Sequence, residues 1–239
     1  LNLNWGWQHP HFTMIYINGD SFTAGAGVRE EIGKGWTWPY LLKKKVDTKC
    51  YEEARSGCSN YRIYRYTLEQ ILTNKKLTAV IILWTHYQRQ EFSIKGKNVT
   101  FMPSDPMTKK LASKVYDVAW KYAYNEIYLF QNWLRQIISI DHLCKFKKIK
   151  FYSFVYEDFW WDNTLKTFKT RANLNDLENT HIQKKFVKSK TLVDNLPKIN
   201  VINLEDINLI QTGWAAGHPD RTGHEQICKI VHSVINQNS

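Results

Sequence analysis

The chain has 239 residues, 43% of them hydrophobic and 23% charged, with a formal net charge of +11. That mix describes a globular chain long enough to bury a sizeable core, and it excludes a disordered, collagen-like or disulfide-scaffold protein. Four cysteines (Cys50, Cys58, Cys144 and Cys228) lie far apart with no CxxC pair, which argues against a zinc site.

Phe12 to Asn18 is a short apolar run that ends at Gly19, the pattern of a buried strand. Trp36 to Val46 then carries helix-like spacing. Cys50 to Ala54 reads as a short second strand leading into Ser56-Gly57, and Ser59 is placed to cap a helix through Tyr64, Leu68 and Ile71. Ala79 to Trp84 is apolar without alternation, as expected of a strand covered on both faces.

The stretch from about Ser93 to Pro106 is polar and turn-rich and reads as a loop. Ile127, Phe130, Leu134, Ile137 and Ile138 recur at three- and four-residue intervals, so a long helix follows. Ile149 to Val155 reads as the fourth strand and Asn200 to Leu204 as the fifth. Gly223 to Asn236 reads as a last helix, with Ile227, Ile230, Val231 and Val234 on its apolar side. Between them, 159–195 is aromatic at first and then lysine-rich, and is expected to be an insertion or lid.

Strands alternating with helices imply right-handed crossovers and a parallel sheet with helices on both faces. The expectation is one α/β domain over 1–239, with an N-terminal arm at 1–11. Its flavodoxin-like, doubly wound sheet has about five strands in the order 2-1-3-4-5. Ligands bind such sheets at the carboxyl ends of the strands, which directs attention to residues just after Asn18, Ala54, Trp84 and Leu204.

Gly19-Asp20-Ser21 follows the first strand directly. A serine at a strand-to-loop turn presents its hydroxyl at the sheet edge beside main-chain N–H groups, which is what acyl transfer needs. The same three residues also make an ordinary turn. Further along come Ser56-Gly57-Cys58-Ser59-Asn60 after the second strand, and Gly217-His218-Pro219 with Gly223-His224 near the C-terminus.

In order and spacing these blocks resemble the SGNH/GDSL hydrolases across nearly the whole chain. Ile17 to Gly27, Ser59-Asn60 and Trp84 to Phe92 resemble a subgroup common in bacteria and phages. The resemblance implies Ser21 as nucleophile, His218 as general base, and an oxyanion hole from the N–H groups of Ser21 and Gly57. Asn60, Thr85 or His86 would add a further donor. It implies no cofactor or metal.

Two departures stand out. The third block lacks its usual Gly and Asn, and Thr85 or His86 takes the matching place as donor or as packing residue. Three residues before His218, where the family has an acid, stands Ala215. A main-chain carbonyl or Asp220 is then the candidate to orient the imidazole. His224 competes as base, although His218, fixed between Gly217 and Pro219, is the better placed.

The expected activity is therefore a serine ester hydrolase working through an acyl-enzyme on a small-molecule or carbohydrate ester, an O-acetyl sugar first. The alternative is a catalytically weakened binding or structural module on the same fold, for instance a virion or surface component assembled into a larger complex. Nucleic-acid binding is not expected, since the lysines are dispersed and carry no recognition motif. No apolar run approaches the ~20 residues of a membrane span. Residues 1–13 do not read as a signal peptide, which points to the cytoplasm or a virion.

Overall fold

The computed structural model describes residues 13–27, 34–46, 48–94, 97–101, 126–157, 191–213 and 216–237. The N-terminal arm, nearly all of the 159–195 insertion, and Ala215 lie outside the described residues.

Five strands form one parallel sheet: β1 (Ile15–Gly19), β2 (Cys50–Glu52), β3 (Ala79–Leu83), β6 (Lys150–Glu157) and β7 (Ile199–Asn203). Their order is β2-β1-β3-β6-β7. Counted within this sheet alone, that is the expected 2-1-3-4-5. Ile17 pairs with Ile81 of β3, and Ile81 in turn with Tyr152 of β6.

The period-2 alternation of a strand divides the core in two. Ile15, Ile17, Ala79, Ile81 and Leu83 face one side and pack with Trp38 and Leu42 of α2 (Trp38–Val46) and with Ile227, Val231 and Ile235 of α5 (Arg221–Gln237). Tyr16, Val80 and Ile82 face the other side. They meet Ile63 and Ile71 of α3 (Asn60–Thr73), and Phe130, Leu134 and Ile137 of α4 (Glu126–Lys147). Each buried Ile or Leu contributes roughly 1.5–3 kcal/mol, so both helical layers are firmly held. Ser59 caps α3 as expected, its side chain accepting from Arg62 N at 3.2 Å.

The expected loop after residue 93 is corrected in part. Gln90–Ile94 and Lys97–Phe101 form an antiparallel pair, β4 and β5, in register from Gln90–Phe101 to Ile94–Lys97. Phe92, Ile94, Val99 and Phe101 alternate with polar residues, but among the described residues each strand pairs only with the other, so neither reads as a strand alone.

Among the described residues, no helix is long and apolar enough to cross a membrane.

Candidate functional site

The turn after β1 is organised by two buried polar side chains. Asn18, 2% exposed, accepts from Gly19 N through Oδ1 (2.8 Å) and donates through Nδ2 to Tyr16 Oη (2.9 Å) and to the Ile63 carbonyl of α3 (3.1 Å). Gly19 then has no room for a side chain. A Cβ there would collide with Thr23 Oγ1 and approach the Leu83 carbonyl oxygen to 2.9 Å. That close approach lets the chain turn sharply at the end of β1.

Asp20 starts the four-residue helix α1 (Ser21–Ala24) as its N-cap. The first N–H groups of a helix have no partner within it. Asp20 takes three of them: Oδ1 accepts from Phe22 N (3.0 Å), and its main-chain oxygen accepts from Thr23 N (3.1 Å) and Ala24 N (2.8 Å). Ser21 N–H is the one in this turn that Asp20 does not engage. The other carboxylate oxygen of Asp20 lies 3.5 Å from Arg89 Nη1, which ties α1 to the loop after β3.

Ser21 opens onto a cavity of about 270 Å3 at the carboxyl edge of the sheet. Thr85 and His86 after β3, Tyr156 near the end of β6, and His218 also line it. Its walls are mostly apolar or aromatic, with Phe22, Trp84, Phe130, Trp133 and Val155 among them. The Phe22 ring meets His218 edge-on at 5.3 Å and Tyr156 edge-on at 4.4 Å. His218 is held through its main chain. Its carbonyl accepts from Ile210 N (2.7 Å), Gly217 N donates to Ile210 O (2.7 Å), and Pro219 bridges to Leu209.

The structure thus brings Ser21, His218, Thr85 and His86 together around one cavity and leaves Gly57, Asn60 and Asp220 outside its wall. Gly57 lies on an exposed turn at φ +74°. Asn60, 3% exposed, has its amide engaged with the main chain of Thr85. Asp220 caps α5, its Oδ1 accepting from Gly223 N at 2.7 Å. His224 is fully buried, and its Nδ1 accepts from Trp38 N (3.2 Å), a tie between α5 and α2.

Several wall residues escaped the sequence reading as site residues, among them Arg89, Trp133 and Tyr156. Arg89 lies within the family-like stretch from Trp84 to Phe92 without a role attached to it, and Trp133 carries no local motif. Tyr156 was reachable, because the carboxyl-edge rule applies to the end of β6 as it does to β1 and β3. Burial and the nearby Asp20 charge push the Tyr156 hydroxyl well above the ordinary tyrosine range, so it stays protonated. Burial, with a smaller push from Asp20, raises the Cys58 thiol to about 12. Cys58 borders the turn, its Sγ donating to Gly19 O at 3.4 Å, but it is no nucleophile at neutral pH. Among the described residues no group of His, Cys, Asp and Glu is arranged to hold a metal ion.

No family model matches the chain, and no curated protein does. Solved structures do. An esterase from Pseudoalteromonas sp., in a structure inhibited by monoethylphosphonate, is 11% identical over 94% of this chain and 97% of its own, with a TM-score of 0.51. A protein ascribed to the lipolytic G-D-S-L family from Desulfitobacterium hafniense is 15% identical over 93% and 99%, at 0.48. A catalytic mutant of an acetylxylan esterase from Geobacillus stearothermophilus is 12% identical over 93% and 94%, at 0.49. The chain has the fold of the SGNH/GDSL hydrolases.

Proposed function

We propose that this SGNH/GDSL-fold chain is a serine ester hydrolase that works through an acyl-enzyme, with Ser21 as nucleophile and His218 as base. The observation that carries the reading is that Ser21 and His218 line one cavity, with Ser21 at the first position of a capped helical turn. Ser21 Oγ attacks the ester carbonyl while His218 takes its proton. The oxyanion is met by Ser21 N–H, the donor that Asp20 leaves unused, together with a side-chain donor from Thr85 or His86. His218 returns the proton to the departing alcohol. It then activates the water that splits the acyl-enzyme, regenerating Ser21.

The aromatic walls favour a small apolar acyl group and keep bulk water from competing for the hydrogen bonds that form at the oxyanion. An acetyl ester of a carbohydrate is the substrate class we assign. Support comes from the cavity size alone; the solved esterase of similar fold bears on ester hydrolysis and not on the sugar. In this reading Asn60 does not touch substrate; it holds the Thr85 main chain. Asp220 supports His218 through the start of α5.

A fluorophosphonate probe followed by peptide mapping tests the assignment. Label on the peptide containing Ser21, absent from Ser21→Ala, is the expected result. Folded protein that takes no label would favour the binding or structural module instead.

A further inference from the structure

A parallel sheet has two unlike edges, and the Ser21 cavity lies at the carboxyl one. At the opposite, amino edge the chain enters the strands from the ends of the helices. Lys49 precedes β2, Lys75 and Lys76 precede β3, Lys147 and Lys148 precede β6, and Lys198 precedes β7; all six are exposed. The last turn of α2 adds three more exposed lysines, Lys43 to Lys45. Among the described residues of these connections and of the last turns of α2, α3 and α4, Asp194 is the only acid. Asp141, one turn earlier in α4, is already paired with Lys145 at 2.7 Å. Much of the chain's net charge of +11 is therefore gathered at the edge away from the cavity.

Two apolar side chains stand among these lysines. Phe146, in the last turn of α4, is 82% exposed, and Leu72, in the last turn of α3, is 54% exposed. The two helices pack side by side and end at the same edge. The loops that follow them meet, with Lys150 N donating to Thr78 O at 2.9 Å. A single exposed ring is ordinary. A ring and a leucine set among lysines make the pattern of a surface that lies on an anionic bilayer: the ammonium groups reach the headgroups and the apolar tips enter between them.

Lys148 adds a separate observation, with φ at +59°. Lys148 N donates to Lys145 O (3.1 Å) and Ile149 N to Cys144 O (2.8 Å), the two bonds that close a helix around a left-handed residue. Glycine takes that conformation freely, and lysine takes it at a cost. The turn by itself favours glycine, so the lysine is accounted for by its charge. The chemistry of the edge also separates the possible anions. Lysine is a hydrated point charge without the planar fork of arginine that fits phosphates and bases in fixed geometry. A ring beside an aliphatic tip suits hydrocarbon better than a stack of bases.

We propose that the amino edge of the sheet, around Phe146, docks on a bilayer surface rich in anionic headgroups. The strands of five residues, about 17 Å long, then hold the Ser21 cavity on the aqueous side, facing away from the lipid. The docking does not depend on the ester-hydrolase reading.

The test is sedimentation with vesicles of phosphatidylcholine alone and with vesicles about one-third phosphatidylglycerol, at about 0.1 M salt. The protein should bind the anionic vesicles, leave the neutral ones, and be released as salt rises to about 0.5 M. Lys75→Gln together with Lys76→Gln should weaken binding roughly twentyfold, on the scale of about fivefold per lysine. Phe146→Ser should weaken it about tenfold, as expected of one apolar side chain no longer inserted. Lys148→Gly should weaken it about fivefold while the melting temperature holds or rises, a pairing that a purely structural role would not produce. No binding to the anionic vesicles, equal binding to both kinds, or binding unmoved by these changes overturns the proposal. Tighter binding to a single-stranded oligonucleotide, lost with the lysines and indifferent to Phe146→Ser, would also overturn it and make the partner a nucleic acid.

Discussion

Asn60 and Thr85 exchange two hydrogen bonds: Asn60 Nδ2 donates to Thr85 O at 2.8 Å, and Thr85 N donates to Asn60 Oδ1 at 3.0 Å. Both residues are buried. The first residue of α3 therefore completes the main-chain hydrogen bonding of the loop after β3 as a neighbouring strand would. The loop that carries Thr85, His86 and Arg89 keeps its shape because α3 holds it.

Replacing Asn60 with Leu should cost roughly 1–3 kcal/mol for each of the two main-chain groups left unpaired. Urea unfolding would register this as a lower midpoint. Esterase activity should fall further than stability explains, because the Thr85 loop loses its anchor. Full activity in a folded Asn60→Leu protein would show that the loop holds itself.

Ser21→Ala and His218→Ala should each reduce ester hydrolysis by at least about 10³-fold, and the double change little more, because nucleophile and base act as one unit. His224→Ala should instead lower stability, by roughly 1–3 kcal/mol, through the lost tie to Trp38. Asp220→Asn should stay close to wild type, since Asn caps a helix about as well as Asp. A hundredfold loss there, with folding intact, would make Asp220 the orienting acid. Steady-state kinetics beside thermal melts separate these cases.

Gly19 and Gly57 should respond to alanine for different reasons. At Gly19 the new Cβ meets Thr23 and the Leu83 carbonyl, so Gly19→Ala should cost about 1–3 kcal/mol as overpacking and displace Ser21, with a large loss of activity. At Gly57 nothing lies within 4 Å, but φ is +74°. Gly57→Ala should cost about 1–2 kcal/mol in backbone strain alone, and Gly57→Asn should recover part of it. Thermal melts of the three variants check the ranking.

Stability should fall in alkali. Burial raises the Cys58 and Cys144 thiols from 9.0 to about 12, and Cys50 and Cys228 to about 11. Between pH 9 and 12 the unfolded chain thus holds fewer protons than the folded one, and the free energy of unfolding decreases as pH rises. The contribution is complete below pH 9 and disappears as pH passes the folded values. Buried Tyr16 and Tyr156, also raised, act in the same direction. Urea midpoints at pH 8, 9.5 and 10.5 should decline in that order, and Cys144→Ala should soften the decline. A flat series would mean the thiols ionise freely in the folded protein.

What the sequence determined by itself are the features whose physics is local. The apolar runs of β1 and β3 cannot be solvated and must be covered on both faces, and the cap at Ser59 acts within one helical turn. Gly19-Asp20-Ser21 sits where a covered strand ends, so the place of the proposed nucleophile at the sheet edge was legible too. Tertiary structure decided what depends on partners distant in the chain. Strands β4 and β5 exist by pairing with each other. Of two nearby histidines, His224 went into the core because Trp38, 186 residues away, offers its N–H, and His218 was left to line the cavity. Asn60, a candidate donor to substrate, is engaged instead by Thr85, 25 residues on. Arg89 joins the site through Asp20, 69 residues before it. A side chain's chemistry is written at its own position, but which of its hydrogen bonds remain for a ligand is settled only when packing has brought up every competing partner.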